Sequence, residues 1–181
     1  MEDTRAELLQ KLLNSYSKWY DISLQPAESE PFVARGEFHE QAGGYMLVKS
    51  AQTWSADRNE YVYFFSVPHL TKADAEQFVN KARELGEARV NPDKNHMSSN
   101  IVMVALCDEA DADALAAVKA VRIRKSFQFS LKGWMEVHAA VIEVGKTEVT
   151  ANFAGYNTAK FLKSILCPKA KRTLFGRKKN N

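Results

Sequence analysis

Two stretches, Tyr61-Val62-Tyr63-Phe64-Phe65 and Ile101-Val102-Met103-Val104-Ala105-Leu106-Cys107, decide the fold. Both are apolar at every position over the length of a strand, so each is expected to be buried from both sides, the habit of central strands. Between them lies a helix with marked ends. Thr71 with Asp74 gives the capping signal, Phe78, Val79, Ala82 and Leu85 the apolar face, and Gly86 the stop. Strand, helix, strand in this order favours two parallel strands joined by a right-handed crossover.

Working upstream, Leu8, Leu9, Leu12, Leu13, Tyr16, Trp19 and Tyr20 share one face at helical spacing and predict a helix over 4–20. Gln25–Pro31 holds two prolines and reads as a loop. Phe32–Glu40 reads as a strand, Gly43-Gly44 as a turn, and Tyr45–Trp54 as the strand that pairs back, with Ala56–Asn59 as the next turn. Downstream, a helix is expected from about Asp111 to Arg122, with Leu115, Val118 and Val121 inward.

The last third reads as a meander. Phe127, Phe129 and Leu131 alternate with Ser126, Gln128 and Ser130, and Met135, Val137, Ala139 and Val141 form the matching apolar set. A loop with Gly133 in the left-handed position puts Phe129 opposite Met135 and keeps both apolar sets on one face. A turn at Gly145-Lys146 leads to a strand over Thr147–Asn152 and sets Glu143 against Glu148, a like-charge pair that argues for another register. Asn157 or Thr158 caps a final helix with Phe161, Leu162, Ile165 and Leu166 inward, ended by Pro168. The expected fold is a single α+β domain over 1–167. Its mixed sheet of six to seven strands follows the order α-β-β-β-α-β-α-β-β-β-α.

The 181 residues are 45% hydrophobic and 26% charged, an ordinary globular balance, and no apolar run approaches the ~20 residues of a membrane helix. The first five residues lack the basic start and apolar stretch of a signal peptide. Cys107 and Cys167 offer neither a disulfide framework nor metal-ligand spacing, so a reducing cytoplasm is the expected location. The net charge of +3 hides a split. Residues 168–181 carry six Lys and Arg and no acid, leaving 19 basic against 22 acidic groups in 1–167. A mildly acidic body argues against a broad nucleic-acid face. The basic tail is the one segment expected to meet nucleic acid or another acidic partner.

Two groups of residues are candidates for chemistry. Parallel central strands would gather His69, Asp108 and Glu109 at their carboxyl ends, where open sheets bind ligands. Imidazole and carboxylates together suit a divalent metal such as Mn, Fe or Zn. Cys107 beside His69 is the competing thiolate reading, and the neighbouring acids oppose it by raising a thiol's pKa. Acids at a helix start also serve plainly as caps. The second group is the wet face of the meander, where Gln128, Trp134, Glu136 and His138 form a candidate binding surface. His96 and His39 each lack further ligands. The chain has no phosphate loop, G-x-G-x-x-G, H-E-x-x-H, G-x-S-x-G or C-x-x-C.

Asn59–Phe65, His96-Met97-Ser98-Ser99, and Ser126–Ser130 leading to Gly133-Trp134 resemble segments of a bacterial domain family of unassigned function. Separately, the order helix, three meandering strands, helix, strand is similar to the core of the PD-(D/E)XK nucleases. That resemblance implies an acid, then an acid-x-Lys on the next strand, binding metal and activating water. Here Lys49 has Leu47 where the acid is wanted, and Glu60-Tyr61-Val62 has no Lys. Without familiar catalytic signatures, the first expectation is a non-catalytic domain acting through self-association, such as a homodimer, or a protein partner. A metal-dependent hydrolase or degenerate nuclease, and a nucleic-acid binder using the tail, are the alternatives.

Overall fold

The structure, a computed structural model, describes residues 2–26, 29–45 and 52–167. In chain order these form α1 (Glu2–Tyr16), β1 (Asp21–Leu24), β2 (Phe32–Tyr45), β3 (Gln52–Leu70), α2 (Lys72–Glu87) and β4 (His96–Ala110). They continue with α3 (Ala112–Ala120), β5 (Arg124–Ser126), β6 (Trp134–Glu143), β7 (Glu148–Ala151) and α4 (Tyr156–Leu166). The sequence of element types is the expected one.

The two apolar runs lie at the centre. β3 and β4 pair in parallel, with Tyr61 beside Ile101 and Val67 beside Cys107. All of Tyr61–Phe65 and Ile101–Cys107 are buried. β6 adds in parallel to the other side of β4, and the remaining pairings are antiparallel, giving a mixed seven-stranded sheet ordered β1-β2-β3-β4-β6-β5 with β7 also on β6. Because successive side chains alternate, each central strand feeds two cores. Tyr61, Tyr63, Phe65, Ile101 and Met103 pack under α2 and α3. Val62, Phe64, Val102, Val104 and Leu106 pack under α1 and α4 through Leu12, Leu13, Tyr16, Leu162 and Ile165. Burying each large side chain contributes about 1.5–3 kcal/mol, which explains why a central strand is apolar throughout.

Helix α2 has the expected capping box: Thr71 Oγ1 accepts from the Asp74 amide, and the Asp74 carboxylate accepts from the Thr71 amide. Gly86 does not stop the helix, which passes through it to Glu87. A Cβ at Gly86 would lie 2.6 Å from Ile101 Cγ1, so glycine is needed for close helix–sheet contact.

Other elements depart from expectation, each for a local reason. α1 ends at Tyr16 rather than residue 20, and Trp19 is 73% exposed. Asp21–Leu24, unassigned in the sequence reading, is an edge strand pairing with Ala34–Glu37. Gly43 and Gly44 are not a turn but lie within β2, opposite Ser55 and Trp54. Lys49 and part of the expected Tyr45–Trp54 strand fall outside the described residues. Ala56–Asn59 is likewise extended, opposite His39–Ala42. The strands run on through this stretch, so its polar composition does not mark a chain reversal.

β5 also stops early. Ser126 pairs with Trp134, so Phe129 is not opposite Met135, and residues 127–133 form a loop. Gln128, Phe129 and Ser130 have φ of 47°, 53° and 69°, which a strand cannot contain. Gly133 adopts φ +71° as expected, and a Cβ there would lie 2.2 Å from the Met97 carbonyl oxygen. The buried His96 pins this loop: its Nδ1 donates to the Lys132 carbonyl at 2.7 Å, leaving Nε2 to accept from Ser99 Oγ at 2.9 Å. Glu143 does face Glu148, and Lys146 Nζ relieves the opposition by reaching Glu143 Oε1 at 2.6 Å. The final helix is capped at Gly155 rather than at Asn157 or Thr158.

Candidate functional site

The carboxyl ends of the parallel strands do not bring His69, Asp108 and Glu109 together. His69 and Glu109 are neighbours in register, so their side chains share a sheet face, and His69 Nε2 meets Asp111 Oδ1 at 2.8 Å. Asp108 alternates to the opposite face, where Arg5 of α1 holds its carboxylate in a close ion pair and also reaches Ser66 Oγ at 3.1 Å. Among the described residues no three His, Cys, Asp or Glu side chains gather in a metal-holding group.

Cys107, next to this edge, is fully buried, and its Sγ donates weakly to the Ile142 carbonyl. Burial, reinforced by Glu143 and Asp108, pushes its thiol up to about 12. A thiol held protonated is a poor nucleophile. With a thiol reagent at pH 8, the exposed Cys167 should react fast and Cys107 only after unfolding. Two equally fast thiols in the native protein would contradict this placement.

The opposite end of the sheet is built differently. On the α1–α4 face the helix layer reaches only to Val62 and Val102 of the core, and the next residues in register are polar: Glu60 on β3, Asn100 on β4 and Glu136 on β6. His138, two residues further along β6, points to the same face. Tyr16 at the end of α1, Tyr20 just after it, and Asn157, Thr158 and Phe161 at the start of α4 wall Glu60, Asn100 and His138 into a cavity of about 260 Å³, with Glu136 beside it on β6.

Its polar groups are ordered by one another. The Tyr20 hydroxyl donates to Glu60 Oε1 at 2.7 Å, and Asn100 Nδ2 donates to Oε2 at 3.4 Å. His138 Nδ1 lies 3.5 Å from Thr158 Oγ1, and its Nε2 lies 3.9 Å from Glu136 Oε2. Burial lowers the pKa of His138, opposed by Glu60 and Glu136, which keeps the ring neutral at pH 7. Burial first, then Glu60, pushes the Tyr16 and Tyr20 phenols upward.

A second hollow of about 240 Å³ continues this one past Tyr20 and Phe161 to Trp19 and Phe38. Tyr20 and Phe38 rings lie 5.4 Å apart, and Tyr16 holds Phe161 edge-on at 5.1 Å. The result is a groove with an aromatic rim and a carboxylate floor. Among the described residues neither Glu60 nor Glu136 has a Lys or Arg ion-pair partner.

The expected binding group is therefore split. Trp134, Glu136 and His138 alternate along one face of β6, with the Arg124 guanidinium 4.9 Å from the Trp134 ring. Gln128 sits apart, exposed in the 127–133 loop. Missed altogether were Trp19, Tyr20, Phe38, Glu60, Asn100, Thr158 and Phe161. One signal was available. Glu60 and Asn100 each stand directly before a buried run, and parallel pairing in register must bring two such residues side by side.

A family model described as a domain of unknown function (DUF8052) matches residues 4–164, a span that contains all the segments on which the bacterial-family resemblance rests. No curated protein and no solved structure matches the chain.

Proposed function

The chain belongs to the DUF8052 family, and from there we propose that it is a recognition domain rather than a catalyst, taking a basic segment of a protein partner into the groove over Glu60, Glu136 and His138. One observation carries this: Glu60, which has no Lys or Arg ion-pair partner among the described residues, lies in a cavity that continues to a rim of Trp19, Tyr20, Phe38 and Phe161, with Glu136 two strands away in the same register row. A Lys or Arg side chain satisfies both features at once. Its charge meets the acids, and its stem or guanidinium lies on the rings, a contact of about 0.5–2 kcal/mol per aromatic partner. Residues 168–181 carry six such side chains, so a second copy of this chain is a partner of the right chemistry and self-association is one form of the recognition.

The chain contains no acid-x-Lys triplet at any position. The nuclease-like reading thus has no residues for its central step, and shared topology alone carries no function.

A synthetic peptide of residues 168–181 titrated into the protein, followed by tryptophan fluorescence, tests the reading. Binding is expected, and Glu60→Gln, which keeps the shape and the Tyr20 contact, should weaken it about 10-fold or more, the scale of one charge-assisted hydrogen bond. Unchanged affinity in Glu60→Gln and in Glu136→Gln would sink it.

A further inference from the structure

Helix α4 separates the acidic groove from a cleft of opposite character. Between the end of α3, the edge strand β7 and the outer side of α4 lies a cavity of about 540 Å³ lined by Lys119, Arg122 and Lys163, with the exposed rings of Phe153 and Tyr156 and, among the described residues, no acid in its wall. The two rings are 82% and 68% exposed, far more than aromatic residues that serve only packing. None of the three cations has a carboxylate partner among the described residues. Arg122 is held in place: its Nη1 donates to the Lys119 and Val121 carbonyls at 2.8 and 2.7 Å, and the buried Asn152 amide fixes the same Val121 carbonyl at 3.2 Å.

We propose that this cleft binds nucleotide units, with base stacked on Phe153 or Tyr156 and phosphate against Lys119, Arg122 and Lys163. Exposed rings beside uncompensated cations are what a single strand needs: every base has a face to stack, and every linkage carries a charge. Lys163 also lines the adjoining hollow, which Glu148 and Cys167 share, and the basic residues 168–181 follow Cys167 in the sequence. Three cations spread along one cleft beside two exposed rings favour a single-stranded oligonucleotide, with its successive phosphates and bases, over a free nucleotide. The cleft lies at the β6–β7 side of the sheet, away from β1–β3, and owes nothing to the nuclease-like strand order.

The test is fluorescence anisotropy of labelled single-stranded U10 and dT10 with the full-length protein, at several salt concentrations, with AMP as competitor. Binding is expected to tighten at low salt and to weaken roughly 5–100-fold in Phe153→Ala combined with Tyr156→Ala, the scale of stacking one base or two. Arg122→Gln with Lys163→Gln should lower the log–log salt slope by about 1–1.5, since two phosphate contacts are lost. Both pairs are at the surface, and unchanged circular dichroism melts check the fold. Competition by AMP as strong as by unlabelled U10 would assign the cleft to free nucleotides, overturning the strand reading. Binding that ignores both variant pairs and vanishes when the six basic residues of 168–181 are changed to Gln would overturn the cleft altogether. So would equal competition by poly-glutamate with no effect of the ring substitutions.

Discussion

Asn152→Ala is expected to lower folding stability by about 3–5 kcal/mol. Asn152 is buried and uses its whole hydrogen-bonding capacity. Its Oδ1 accepts from the Ala139 and Gly155 amides at 3.0 and 2.8 Å, and its Nδ2 donates to the Val121 and Val137 carbonyls at 3.2 and 2.9 Å. One side chain thereby ties β6, the end of α3 and the entry to α4. Alanine strands two buried N–H groups and the Val137 carbonyl, each costing about 1–3 kcal/mol if left dry, less where water enters, while the Val121 carbonyl keeps its bond from Arg122. For a domain of this size that is a fall of roughly 6–20 °C in Tm. The exposed Asn157→Ala should move stability by no more than about 0.5 kcal/mol. Comparable losses in both variants would refute the network.

Arg5→Ala should cost about 3–5 kcal/mol, because it leaves the Asp108 carboxylate buried beside the core with no counter-charge. The two side chains are only 10% and 11% exposed. A basic residue near the start of a helix also opposes the helix dipole, so position alone does not favour Arg5; its partner does. The decisive comparison is the double replacement Arg5→Met with Asp108→Leu. If desolvation is the cause, the double variant recovers most of the loss, since an apolar pair of similar volume often matches a buried ion pair. If urea titration finds it as unstable as Arg5→Ala, packing rather than the stranded charge is responsible.

The parts of the fold legible in the sequence are those where burial leaves a one-sided record. Tyr61–Phe65 and Ile101–Cys107 are apolar on both faces because both are covered, and from that followed the parallel pair and the helix between. Ala56–Asn59 was illegible for the converse reason. A polar strand and a turn share the same composition, and only the register with His39–Ala42 separates them. The same blindness hid the groove. Glu60 and Asn100 lie 40 positions apart in the chain; each stands directly before an apolar run, and it is the register of the parallel pair that makes them neighbours. Trp134, Glu136 and His138 could be placed on one face because they lie on one strand, where alternation is a local rule. His69, Asp108 and Glu109 share an edge, yet alternation along β4 sends Asp108 to the other face.

The central claim, that the acidic aromatic groove receives a basic segment, is tested most directly by backbone amide chemical-shift mapping with the peptide of residues 168–181. Perturbations are expected to concentrate at Tyr20, Phe38, Glu60, Asn100, His138, Thr158 and Phe161, to saturate together and to be lost in Glu60→Gln. Perturbations confined to other surfaces, or none at millimolar peptide, would contradict it.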